Sequence, residues 1–152
     1  MKKLSLCITA LLGLNTLPLQ ADTLIHAGNL FSATDDSLQS RMTIVVDGNK
    51  ITAVKKGYIS AEDGDTVIDL KNHTVMPGLM DMHVHLSSQQ GPSSYMERFT
   101  LNEADYTLKA AHFAEKTLSA GFTTVRNLGD GYNETIALRK AIDKGLAQGP
   151  RI

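Results

Sequence analysis

Cysteine is almost missing from this chain. The only one, Cys7, lies within the first twenty residues, so the chain beyond them folds without disulfides and offers no thiolate to a metal. Any metal held there must be bound by imidazole or carboxylate. Charge of either sign is also not in excess. Fifteen Lys and Arg against sixteen Asp and Glu leave a formal net charge of -1, and there is no Lys/Arg cluster to follow a phosphate backbone, which excludes nucleic acid as a principal partner. Long apolar runs are absent except at the start, where Lys2 and Lys3 precede an apolar stretch over residues 4–19. Asn15 and Pro18 interrupt that stretch, and the small residue Ala21 stands before Asp22. This is the pattern of a signal peptide over residues 1–21, cleaved after Ala21. It is too short and too broken for a transmembrane anchor. Cys7 does not suit a lipoprotein, because Leu6 before it is not small and the apolar region upstream is too short. The expected location is periplasmic or secreted, with no stable membrane anchor. The composition leaves a homo-oligomer open.

Residues 22–76 lack a helical hydrophobic period and read as short strands. Thr23-Leu24-Ile25-His26 is one, followed by a Gly28-Asn29 turn. Met42-Thr43-Ile44-Val45-Val46 turns through Asp47-Gly48-Asn49 into Lys50-Ile51-Thr52-Ala53-Val54, a hairpin pattern in which Gly and Asn supply positive φ. Thr66-Val67-Ile68-Asp69-Leu70 and His73-Thr74-Val75-Met76 come next as two further strands around another turn. His26 and His73 belong to this β-rich part and read as scaffold.

The chemistry is concentrated in Pro77-Gly78-Leu79-Met80-Asp81-Met82-His83-Val84-His85-Leu86. Strand side chains alternate, so Asp81, His83 and His85 share one face and Met80, Met82, Val84 and Leu86 the other. The run is apolar enough to be buried on both sides. Buried imidazoles need partners, and a shared metal ion is the natural one for His at i and i+2. His83 and His85 are therefore the candidate metal ligands. The alternative for any His-x-His pair is a surface or satisfied core position. The Pro-Gly turn before the strand, Asp81 on the same face and the absence of charge on the opposite face favour the metal.

The same ten residues resemble the first barrel strand of the amidohydrolase superfamily, whose hallmark is Pro-Gly-Leu-Ile-Asp-x-His-x-His, with Met80 here in place of Ile. Gly121-Phe122-Thr123-Thr124-Val125-Arg126-Asn127-Leu128-Gly129 is similar to the second strand of the imidazolonepropionase-like and Xaa-Pro-dipeptidase-like branch, and Gly149-Pro150-Arg151-Ile152 to the segment after the second helix there. Asn127 stands where that branch commonly has Asp, at a position that bears on substrate preference more than on metal. The resemblance spans residues 22–152. It implies an α/β fold: the start of a (β/α)8 TIM barrel over 77–152, preceded by part of a small β-sandwich domain over 22–76. It further implies zinc, as one or two divalent ions held in part by His83 and His85, with Asp81 behind them orienting an imidazole or the strand end. The implied reaction is hydrolysis of a C–N bond in an amide, peptide or cyclic amide by a metal-activated water, on a small-molecule or dipeptide substrate.

Two helices accompany these strands. One spans about residues 102–120, with Thr100 and Glu103 at capping-box spacing, Gly121 as a stop, and Ala104, Leu108, Ala111 and Leu118 as the buried stripe. His112 lies off that stripe. The other spans about 133–147, with Leu138, Ala141, Ile142 and Leu146 buried and Gly149-Pro150 ending it. Strand, helix, strand, helix without a hairpin implies a parallel sheet. The polar stretch 87–100 reads as a loop at the C-terminal face of the barrel, where Tyr95, Arg98 and Phe99 could shape a substrate pocket. Arg126, Asn127 and Asp130 end the second strand and are further substrate-loop candidates. Arg126 could hold a substrate carboxylate, or pair with a nearby acid to fix its loop.

A complete barrel takes roughly 250 residues, and residues 77–152 have room for two strand-helix units. The remaining ligands and the catalytic Asp that the resemblance implies come from later strands and have no counterpart here, so no catalytic residue is assigned. The favoured reading is the N-terminal part of a longer enzyme. Two alternatives stay open: a truncated, non-catalytic secreted scaffold or weak metal binder, and a related hydrolase of lactones or phosphotriesters.

Overall fold

A computed structural model describes residues 21–34 and 36–152. The signal peptide expected over 1–21 falls almost wholly outside the described residues. The chain forms two compact units, one ending at Met76 and the other beginning at Pro77.

The first unit is a four-stranded sheet built from β1 (Thr23–Leu30), β2 (Gln39–Asp47), β3 (Lys50–Lys56) and β4 (Thr66–Val75), in the order β3-β2-β1-β4. β2 and β3 form an antiparallel hairpin in which Asp47 pairs with Lys50, leaving Gly48 and Asn49 as the turn. Gly48 takes φ 57°, a conformation that costs glycine little. β1 runs antiparallel to β2 and parallel to β4. The expected Gly28-Asn29 turn is instead an irregularity inside β1, where the register with β4 shifts between Ala27 and Asn29. The two strands expected over 66–76 form one element, β4, which pairs with β1 on both sides of an interruption at residues 71–73. Glycine is required at the shift by close approach: a Cβ on Gly28 would lie 2.1 Å from the Lys71 carbonyl oxygen. Gly28→Ala is expected to lower stability by about 1–3 kcal/mol, since rigid backbone must move to admit the methyl. Denaturant titration checks this, and an unchanged midpoint would contradict the close approach.

One face of this sheet buries Ala27, Leu30, Met42 and Ile44, with Ile25, Val46 and Val75 packed around them. On the other face the neighbours His26 and Thr43 are buried. They clamp the segment after β3. Thr43 Oγ1 donates to the Gly57 carbonyl at 2.7 Å and accepts the Ile59 N–H at 3.2 Å, while His26 Nε2 lies 3.0 Å from the Ile59 carbonyl. Asp65 closes the bend before β4 by accepting the main-chain N–H groups of Asp22 and Glu62, each at 2.9 Å. Those donors, Glu62 first, hold its carboxyl below the usual carboxylate range. Among the described residues the unit is a single sheet.

The second unit contains β5 (Leu79–Val84), α1 (Ser94–Thr100), α2 (Glu103–Ser119), β6 (Phe122–Asn127) and α3 (Glu134–Asp143). β5 and β6 are parallel, and Arg151 bridges to Thr124 in the same sense on the far side of β6. This is the strand-helix alternation of a barrel. The core joins Leu86, Ala110, Ala114, Val125 and Leu138, with Val84, Ala111, Phe122 and Ile142 around it.

Local chemistry moves several boundaries away from expectation. The stretch 87–100 is not all loop, because its second half forms α1. This helix has no buried residue. It is held by α2, where Lys109 pairs with Glu97 and the Tyr106 hydroxyl donates to the Glu97 carbonyl. A seven-residue helix fixed by such outside bonds has no hydrophobic period to betray it. Thr100 does not cap α2, since it ends α1 and its hydroxyl bonds back to the Met96 carbonyl. The cap is Asn102, which accepts from Ala104 and Asp105 while Asp105 accepts the Asn102 N–H, a reciprocal capping box. The buried stripe of α2 is Ala110 and Ala114, and Leu108 is 71% exposed. α3 ends at Asp143, earlier than expected. Gly145 at φ 70° donates to Ile142 and Leu146 to the Ala141 carbonyl, a Schellman closure. Leu146 therefore lies past the helix, 79% exposed.

The expected burial of β5 on both sides is not observed. It has one partner strand among the described residues, β6, and Leu79, Met80 and Met82 are exposed. Burial of a barrel strand is supplied by neighbours on both edges and by side chains from across the barrel.

Candidate active site

β5 delivers the His-x-His pair to its C-terminal end. The rings of His83 and His85 lie side by side, centroids 5.6 Å apart and close to edge-on. The main chain beneath them is irregular. The β5–β6 ladder skips between Asp81 and Val84, and the His83 N–H that it releases is taken by Asp81 Oδ1 at 2.9 Å. Asp81 thus fixes the strand end that carries the imidazoles.

His85 is fixed by a second contact. Its Nδ1 lies 3.1 Å from the Gly129 carbonyl oxygen. A carbonyl only accepts, so Nδ1 is the donor, and Nε2 is the nitrogen of a neutral ring left to face a cation. That is the tautomer in which imidazole binds a metal, with the second ring nitrogen tied to a carbonyl. His83 and His85 therefore suit a divalent cation in ring spacing and in the orientation of the His85 ring. Among the described residues no group of three His, Cys, Asp or Glu converges to hold one.

The loop after β6 is organised by two residues singled out from sequence. Asn127 accepts the Leu86 N–H at 2.9 Å and donates to the Gly129 carbonyl at 3.2 Å and to Thr135 Oγ1 at 3.0 Å. It ties together the loops after β5 and β6. Asp130 accepts the main-chain N–H groups of Asn133 and Thr135, at 2.9 and 2.8 Å, and the Thr135 hydroxyl. It caps the start of α3, where Asn133, at φ 61°, offers no side-chain cap of its own. Glu134, almost fully buried, accepts the Tyr132 N–H at 2.8 Å.

A hollow of about 400 Å³ opens beside His85, lined among others by Arg98, Tyr106, Asp130, Tyr132 and Glu134. Its size lies within the range of small-molecule sites. The structure thus brings together His85, Arg98 and Asp130 of the sequence candidates. Tyr95 is not among the lining residues; it is exposed and packs edge-on against Phe99, centroids 5.3 Å apart. Arg126 does not line the hollow and among the described residues pairs with no acid: its Nε donates to the Met82 carbonyl at 2.9 Å, and it lines a separate depression with Asn127 and Arg139. Tyr106, Tyr132 and Glu134 are additions from the structure. Tyr106 sits on the α2 turn that faces α1, and no sequence period marks that role.

The amidohydrolase family profile matches residues 74–152, about half of the chain and all of the strand-helix unit just described. The chain belongs to the amidohydrolase family. Among solved structures, a Xaa-Pro dipeptidase with methionine bound in its active site is 46% identical, with a TM-score of 0.80 over 87% of this chain and 32% of that one. A prolidase in complex with N-methylphosphonate-L-proline is 28% identical, with a TM-score of 0.72 over 87% of this chain and 31% of that one. Among curated proteins, the dihydroorotase of Bacillus pumilus is 41% identical over 68 residues, 45% of this chain and 15% of that protein. The 5'-deoxyadenosine deaminase of Methanosarcina barkeri is 46% identical over 43 residues, 28% of this chain and 10% of that protein. The chain spans about a third of the length of the solved relatives. It corresponds to the N-terminal portion of their longer fold, and its α/β architecture is that of the start of an amidohydrolase barrel.

Proposed function

We propose that this amidohydrolase-family protein is a metal-dependent hydrolase of C–N bonds, to which residues 77–152 contribute the first two strand-helix units and the first two metal ligands, His83 and His85. The observation that carries the reading is the pair of adjacent imidazoles with His85 Nδ1 committed to the Gly129 carbonyl. The kinship to proteins named dihydroorotase, deaminase and dipeptidase supports the bond class. A bound divalent cation, zinc in the first instance, supplies Lewis-acid polarisation of a carbonyl and acidifies water. The chain's own residues prepare the site. Asp81 holds the main chain at His83, the Gly129 carbonyl orients His85, and Asp130 and Asn127 shape the loop that presents that carbonyl. The substrate is a small amide, peptide or cyclic amide. Export to the periplasm or beyond the cell is part of the proposal and rests on the pattern of residues 1–21.

The test is metal content and hydrolysis in the full-length protein, assayed against dipeptides, simple amides and cyclic amides. One or two equivalents of zinc are expected, with activity lost to a chelator and restored by metal. Undiminished hydrolysis by metal-free protein, or no hydrolysis of any C–N substrate, would overturn the reading.

A further inference from the structure

The β5–β6 ladder carries a bulge where β5 presents its imidazoles. Asp81 pairs with Val125 and Val84 with Asn127, so Met82 and His83 together oppose a single residue, Arg126. The Met82 carbonyl and the His83 N–H belong to one planar peptide group, and the bulge takes that group out of the ladder. Side chains hold both of its ends. Arg126 Nε donates to the Met82 carbonyl oxygen at 2.9 Å, and Asp81 Oδ1 accepts the His83 N–H at 2.9 Å. A guanidinium cannot lose its proton in a protein, so the bond at the oxygen is always charge-assisted. The plane of a trans peptide contains the following Cα. Holding this plane therefore holds the point from which the His83 imidazole projects. The next residue of β6 acts on the other side of the pair. Asn127 accepts the N–H of Leu86, directly after His85, at 2.9 Å. Successive residues of β6 thus grip the main chain just before the first imidazole and just after the second.

Resting on the reading of His83 and His85 as metal ligands, we propose that Arg126 is a positioning residue for His83. It holds the Met82–His83 peptide, and through it the imidazole, and touches neither metal nor substrate. Charge gives this role a signature. A cation near a metal site repels the metal, so removing it tightens binding when repulsion is its only effect. Removing a support from a ligand weakens binding. The two effects have opposite signs. Arg139, exposed on α3, lines the same depression as Arg126 and supplies a second guanidinium for comparison.

The test compares the full-length protein with its Arg126→Met, Arg126→Lys and Arg139→Met variants. Zinc affinity is read by competition with a chromophoric chelator, and amide hydrogen exchange at His83 is read in the metal-free samples. Arg126→Met keeps the aliphatic stem and loses the donor. It is expected to weaken zinc binding by about 10- to 100-fold, the range for removing an outer partner of a ligand. Exchange at His83 should quicken by about 10-fold, the order for losing one hydrogen bond. Arg126→Lys keeps a charged donor, placed one bond further out, and should lose a smaller share of both. Arg139→Met should leave both unchanged. Parental or tighter zinc binding in Arg126→Met, or in Arg126→Lys should the first not fold, would overturn the proposal. An equal loss in Arg139→Met would do the same. So would a raised KM at parental zinc affinity, which would make Arg126 a substrate contact. A parent that binds no zinc, while Arg126→Met still quickens exchange at His83, keeps the clamp and sinks the hydrolase. Zinc binding and hydrolysis in the parent, with neither readout moved in Arg126→Met, does the reverse.

Discussion

Replacing His85 by alanine in the full-length protein is expected to abolish metal retention and hydrolysis together, and His83→Ala to do the same. Loss of an outer partner of a metal ligand costs about 10- to 100-fold in affinity or activity, and loss of a ligand itself should exceed that range. The two variants should not fail for structural reasons, because both rings are exposed at a strand end and neither belongs to the core cluster of Leu86, Ala110, Ala114, Val125 and Leu138. His112→Ala is the control. That imidazole is exposed on α2, lies against Phe113 at 5.4 Å between centroids, and is not among the residues lining the hollow. Metal analysis after dialysis, with steady-state hydrolysis on the same samples, reads the result. Full metal content and full rate in His83→Ala or His85→Ala would remove the metal assignment. Equal loss in His112→Ala would mean that the assay was reporting general instability.

The parts of the fold set by period and turn chemistry were legible in the sequence. The hairpin through Gly48 and Asn49, the long helix before Gly121, and the parallel pairing of the His-x-His strand with the strand through Val125 all arise from such local patterns. The features that escaped were set by partners distant in sequence. β4 runs on from Leu70 to Thr74 because β1 pairs with it on both sides of the interruption at residues 71–73, a partner the local sequence does not announce. α1 is a helix because Lys109 and Tyr106 hold it. The stripe of α2 falls on Ala110 and Ala114 because Leu86, Val125 and Leu138 pack against them, leaving Leu108 outside. The site divides along the same line. That the two imidazoles stand side by side could be read from their spacing, since alternation along one strand is a local fact. Which arginine enters the hollow could not, because Arg98 and Arg126 differ only in what the rest of the fold places beside them. Arg126 finds the Met82 carbonyl across the sheet, and among the described residues Arg98 forms no ion pair.

Asn127→Ala is expected to destabilise the protein by about 2–3 kcal/mol and to weaken metal binding as well. The stability loss comes from the hydrogen bonds. The Leu86 N–H that Asn127 accepts belongs to a residue only 4% exposed, and a buried donor left without a partner costs about 1–3 kcal/mol by itself. The two donations to Gly129 and Thr135 are lost in addition. Asn127→Asp should cost less, about 1–2 kcal/mol, because it keeps an acceptor for Leu86 but has no proton for the other two. Thr135 cannot compensate by turning its hydroxyl, since that proton already goes to Asp130. The effect on the metal comes from the shared carbonyl. Gly129 accepts from both Asn127 and His85, so freeing the loop loosens the group that sets the His85 tautomer. Metal affinity should fall by about 10-fold or more in both variants, as it does when an outer partner is removed. Denaturant unfolding and competitive metal titration on the same preparations separate the two effects. If stability drops but metal affinity holds, the Gly129 carbonyl is positioned without Asn127 and the coupling through it is absent. If both are unchanged, the bracket between the two loops contributes nothing and the site is built on the strands alone.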